Sequence, residues 1–90
     1  MTVHLKIYGR VQGVFFRRNA KIEAERLGIS GWVRNDVDGS VEIMAGGEKE
    51  KIDQFIAWCK KGSPFSKVEK VDVDFPKSEE AFEGFEIIEN

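Results

Sequence analysis

The chain has 90 residues and a mass of 10.2 kDa, with 41% hydrophobic, 11% aromatic and 33% charged positions. These are the proportions of one small globular domain over residues 1–90, and they exclude a disordered, collagenous or low-complexity chain. A net charge of −2 argues against bulk attraction to nucleic acid or anionic lipid, and no apolar run approaches the roughly 20 residues of a membrane span.

Val3, Leu5 and Ile7 alternate with His4, Lys6 and Tyr8, which predicts a strand with one buried face ending at Gly9. Phe16, Ala20, Ala24 and Leu27 then form the stripe of an amphipathic helix, with Gly28 as its left-handed cap; Ile22 lies off that stripe. Residues 31–35 read as a second strand, with Trp32 and Val33 on opposite faces. Val41, Ile43 and Ala45 are its hairpin partner after the turn signal Asp38-Gly39. Gly46-Gly47 ends that strand. Ile52, Phe55, Ile56 and Cys59 mark a second helix, flanked by Trp58 and closed by Gly62-Ser63-Pro64. Val71, Val73 and Phe75 alternate with Asp72 and Asp74 as a further strand stopped by Pro76. Phe85-Glu86-Ile87 makes a short terminal strand after the acidic stretch from Glu79 to Glu83.

The order βαββαβ plus a short strand is the split βαβ pattern of a ferredoxin-like α+β sandwich. The expected architecture is an antiparallel sheet with two helices on one face and a short extra C-terminal strand. Polar and apolar residues alternate along the strands, as they do in antiparallel sheets open on one side. In a split βαβ unit the first two strands finish at the same end of the sheet. The loop after Tyr8 and the tip after Arg34 are therefore expected to be neighbours.

That loop lies in the positive third of the chain. Residues 1–30 carry six Lys/Arg against two Glu, whereas residues 61–90 carry four against eight acids. Glycines at 9 and 13 permit a tight, positive-φ backbone leading into a helix amino terminus, where several N–H groups lack an intrahelical partner. Such a concavity suits an oxyanion, although a Gly-rich strand-to-helix loop also serves chain geometry alone. Arg17 stands in the first helical turn, where the helix dipole disfavours a cation and a bound anion would remove the conflict. Its guanidinium fork can meet two phosphate oxygens at once. Arg10 and Arg18 read as solvated charge, and Asn35, by its place alone, as a turn residue ahead of Asp36 and Asp38.

Residues 9–17, the run Gly31-Trp32-Val33-Arg34-Asn35, the Asp38-Gly39-Ser40 hairpin and Gly62-Ser63-Pro64 together closely resemble the acylphosphatase family over nearly the whole chain. The resemblance implies an α/β sandwich enzyme that hydrolyses the carboxyl-phosphate bond of acyl phosphates, giving a carboxylate and inorganic phosphate without metal or cofactor. It implies Arg17 and Asn35 as the catalytic pair. Arg17 and the loop N–H groups of Gln12, Gly13, Val14, Phe15 and Phe16 would hold the phosphoryl group, and Asn35 would orient the attacking water. Inorganic phosphate, as product, is then expected to inhibit. The alternative is a non-catalytic anion-binding or regulatory domain, of the kind found at the start of larger carbamoyl-transferring maturation proteins. A chain that starts and stops with this one domain and retains Arg17 and Asn35 favours the free-standing hydrolase.

The other candidates read as structural. His4 is a sheet-face histidine without a ligand partner nearby in sequence, Cys59 a packing thiol, and Trp32 and Trp58 core or rim. Residues 79–89 read as a solvated acidic end. A single cysteine and the lack of a visible signal peptide point to the reducing cytoplasm. An RNA-binding module on the same sheet would need a Lys/Arg-Gly-aromatic strand motif, which is missing. No exposed apolar stripe demands a partner, so a monomer is expected. Nothing outside the loop reads as a specificity pocket, which leaves the acyl group open.

Overall fold

Residues 1–77 and 80–89 are described by the computed structural model. Its elements are β1 (Thr2–Arg10), α1 (Phe16–Leu27), β2 (Ser30–Asn35), β3 (Val41–Gly46), α2 (Lys49–Lys61), β4 (Lys67–Asp74) and β5 (Phe85–Ile88). Each predicted element is present. Glu79, in the acidic stretch, lies outside the described residues, while Glu80 and Glu83 are exposed to solvent.

The strands are ordered β4-β1-β3-β2-β5. The first four are mutually antiparallel, but β5 pairs with β2 in parallel, so the sheet is mixed and not wholly antiparallel as expected. The cause is topological. β4 runs down one edge and finishes at the end of the sheet where β2 begins; a chain crossing there to the far edge must enter β5 running in the same direction as β2. β5 therefore finishes at the end where β1 and β2 also finish, which carries Ile88 and Glu89 toward Asn35. No periodicity within four residues records the choice of neighbour.

The inward residues of the central strands, Val3, Leu5, Ile7, Val33, Val41, Ile43 and Ala45, are all buried beneath the helices. The predicted α1 stripe of Phe16, Ala20, Ala24 and Leu27 is the buried face of that helix, and Ile52, Phe55 and Cys59 form that of α2. Trp58 joins the two, its ring 5.3 Å from Phe16 and stacked 6.2 Å from Phe55. Burial pushes the Cys59 thiol well above its ordinary range, as befits a packing residue. The other face of the sheet carries paired charges. Glu42 sits 2.6 Å from His4 and also holds Arg34, whose guanidinium lies 5.2 Å over Trp32. Among the described residues, no helix is long and apolar enough to cross a membrane.

β4 departs from its predicted bounds at both ends. It starts at Lys67, and Phe75 lies beyond it, half exposed. Between Tyr8↔Lys70 and Gly9↔Val68 the register slips by one, leaving Glu69 as the extra residue of a bulge. The slip changes the phase of alternation, so Val68 and Val71 both pack on the core, a pattern that a strict period of two conceals. Gly9 makes the bulge possible, because at φ +125° a Cβ there would collide with the Lys67 carbonyl. Gly9→Ala is expected to cost about 2–4 kcal/mol in urea unfolding, whereas Gly13→Ala should cost about 1 kcal/mol. Gly13 has a positive φ as well, but a Cβ there meets only open space. Equal losses would show that the bulge contact is dispensable.

Candidate active site

The β1–α1 loop enters the helix through Phe15, whose φ of 63° places a bulky residue in left-handed backbone, at a cost of about 1–3 kcal/mol. Its carbonyl is fixed by two donors from Asn19, the backbone N–H at 3.0 Å and Nδ2 at 2.9 Å. The Asn19 N–H is the first to find a partner one turn back, so those of residues 15–18 are left at the positive end of the helix. Phe15 supplies no side-chain cap and no acid stands in the first turn. The usual residents of a helix amino terminus, a capping oxygen or a carboxylate, are replaced here by Arg17.

These groups open onto a cavity of about 330 Å³. Gly13, Phe15, Phe16 and Arg17 line it from the loop and helix, and Asn35 from the end of β2, as the split βαβ argument expects. Gln12 and Val14 are not among its lining residues; they anchor the loop from either side. Gln12 Nε2 donates to the carbonyls of Asp36 at 2.7 Å and Ser40 at 2.9 Å, tying the loop to the β2–β3 turn beside Asn35. On the other side, the buried Ser63 hydroxyl donates to the Val14 carbonyl at 3.5 Å.

The cavity has a far wall that the sequence did not indicate, made by Ile87 and Glu89. Arg17 Nη1 donates to the Ile88 carbonyl and to the Glu89 carboxylate, both at 3.4 Å. Glu89 thus belongs to the rim of the site and not simply to a solvated acidic end; the only signal for this is the parallel pairing of β5. Its side chain is largely exposed, so its hold on Arg17 is screened and weak. Arg18 also faces the cavity. Among the described residues, no group of three His, Cys, Asp or Glu is placed to hold a metal ion.

The turn beside Asn35 is stiffened by charge. Asp38 accepts the Ser40 hydroxyl and, at 3.0 Å, the Ser40 N–H, and Lys6 reaches both Asp36 and Asp38. The Ser40 hydroxyl, the Ser40 amide and Lys6 together lower the Asp38 carboxyl to about 2.

Fold and site together define a ferredoxin-like α+β protein with an uncapped helix amino terminus, an arginine and a cavity at its first strand-to-helix junction. Comparison with known proteins then assigns the family. The acylphosphatase family model matches residues 3–87. An acylphosphatase from Thiobacillus denitrificans is 51% identical over 85 residues, covering 94% of this chain and 93% of the relative. One from Thermococcus kodakarensis is 45% identical over 94% of this chain and 92% of its own length. The crystal structure of acylphosphatase from Bacillus subtilis superimposes with a TM-score of 0.94 at 40% identity, covering 98% of each chain. The chain belongs to the acylphosphatase family.

Two outcomes follow from this geometry. Inorganic phosphate should raise the melting temperature in proportion to occupancy, and Arg17→Ala should abolish that rise at matched ionic strength; an equal shift in both proteins would put the ion elsewhere. A carboxyl held below its ordinary value stabilises the fold fully above its unfolded pKa, near 3.8 for Asp38, and loses that effect as pH falls toward 2. Asp38→Ala should therefore melt below wild type at pH 7, with the gap closing in acid across that window; a gap unchanged at pH 2 would refute the assignment.

Proposed function

We propose that Arg17, the N–H groups entering α1 and Asn35 carry out the acyl phosphate hydrolysis to which membership of the acylphosphatase family commits this chain. The observation that carries this reading is the convergence of Arg17, Asn35 and an uncapped helix amino terminus on one cavity. The substrate already contains a good leaving group, a carboxylate. What remains for the protein is to position the reactants and to stabilise charge on the phosphoryl oxygens.

Arg17 meets two of those oxygens with its fork, and the loop and helix N–H groups take the rest. The incoming dianion outcompetes the exposed Glu89 for Arg17 because it is bound at several points, whereas Glu89 makes one long contact. The Asn35 amide orients a water for attack at phosphorus opposite the departing carboxylate. A neutral amide is not a base at neutral pH, so the water's proton passes to a phosphoryl or carboxylate oxygen of the substrate. The P–O bond to the acyl group breaks with its electron pair, releasing a carboxylate and inorganic phosphate. Phosphate fits the same cradle and inhibits as a product.

Purified protein is expected to cleave acetyl phosphate undiminished in excess chelator while largely sparing a phosphate monoester. Arg17→Ala should lower kcat/KM by about 10³-fold or more and abolish phosphate binding, with little rescue by Arg17→Lys. Asn35→Ala should lower kcat by about 10²-fold with phosphate binding and fold intact. Normal kcat in Asn35→Ala, or lost phosphate binding in that folded variant, would return Asn35 to a turn or anchoring role.

A further inference from the structure

Beside the phosphate cavity lies a second concavity of about 320 Å³, lined by Phe15, Arg18, Asn19, Ile22, Pro64 and Phe65. Three of these residues are large, apolar and exposed: Phe65 at 73%, Phe15 at 65% and Ile22 at 54%. None is needed by the core. Ile22 lies off the buried stripe of α1, and Phe65 stands on the turn after α2. That turn is fixed, since the Ser63 carbonyl accepts from the Ser66 N–H at 3.0 Å and from the Ser66 hydroxyl at 2.8 Å. Ser63 in turn holds the phosphate loop at Val14. An exposed apolar patch mounted on the same anchor as a binding loop is the signature of a ligand contact.

Continuity and charge identify the occupant. Phe15 and Arg18 line both concavities, so a ligand held in the first extends into the second along the face of Phe15. The opposite wall of the phosphate cavity bears the Glu89 carboxylate, which repels a leaving group that is itself becoming a carboxylate. The groove offers Arg18 instead.

We propose that this groove is the acyl subsite, and that it selects acyl phosphates whose leaving carboxylate carries an apolar chain of several carbons. The inference rests on the active-site reading above. The phosphoryl group sits in the cradle and its acyl carbonyl passes Arg18. The chain then lies between Phe15, Ile22 and Phe65. The chemistry is unchanged, as the same P–O bond breaks and the same carboxylate leaves.

The test is kcat/KM for acetyl, butyryl and hexanoyl phosphate, whose parent acids are of closely similar acidity, so that chain length alone varies. Burial of each added methylene predicts a rise of about two- to fourfold, or about 16- to 250-fold over the four methylenes from acetyl to hexanoyl phosphate. Phe65→Ala and Ile22→Ser, both at exposed positions, should flatten the series while leaving acetyl phosphate turnover and inhibition by phosphate within about twofold. A flat series in an active wild-type enzyme, or a slope untouched by Phe65→Ala, overturns the acyl subsite and leaves the active site standing. So does a concentration-dependent dimer, lost in Phe65→Ala, that accompanies a flat series, because the patch then serves a second copy of the chain. Wild-type protein inert toward acetyl phosphate but retaining its fold would sink the active-site reading and this inference with it.

Discussion

Everything at the site depends on how one short loop is suspended. Between β1 and α1 the chain reverses direction within five residues, enters the helix through a left-handed phenylalanine and leaves a helix amino terminus uncapped. Such a loop does not hold its shape unaided, since backbone strain persists only where the surroundings over-determine it. Here the determination is two-sided. Gln12 fastens one flank to the β2–β3 turn and Ser63 fastens the other to the α2–β4 turn. What the anchors set is distance: the loop amides, Arg17 and Asn35 belong to different elements, and the two anchors fix how far apart they stand.

The same arrangement explains why the site tolerates what would otherwise be faults. A cation in the first turn of a helix, a missing cap and a positive φ at a bulky residue each oppose folding by a fraction of a kcal/mol to a few kcal/mol. All three occur within residues 15–17, and the cation and the missing cap add positive potential at the cavity. The core meets this cost elsewhere, through the continuous burial of both helix stripes on the central strands and the Trp58 contact that ties Phe16 to α2.

Much of this was legible in the sequence because it is periodic or topological. The alternation in β1 and β3, and the stripe from Phe16 to Leu27, translate directly into buried faces. The right-handed return of a split βαβ unit brings the loop after Tyr8 to the end of β2, and with it Arg17 to Asn35. What escaped was non-periodic. The bulge at Glu69 changes the phase within a strand, so Val68 looks as though it faces outward. The partner of β5 is chosen by where β4 ends, which placed Glu89 at the site instead of in a solvated tail. Ile22 and Phe65 are 43 positions apart, and nothing local shows that they, with Phe15, make one patch.

The far wall of the cavity also bears on when the site comes into being. Arg17 reaches partners 71 and 72 positions away, and Lys21 reaches the Phe85 carbonyl across 64. The near wall is drawn from residues 11–35, whereas the far wall is brought to it across about 70 positions of chain. The backing of Arg17 therefore exists only where β5 lies docked beside β2. The complete cavity is then a property of the finished sheet, because its two walls come from the two ends of the chain and meet only across the last strand pairing.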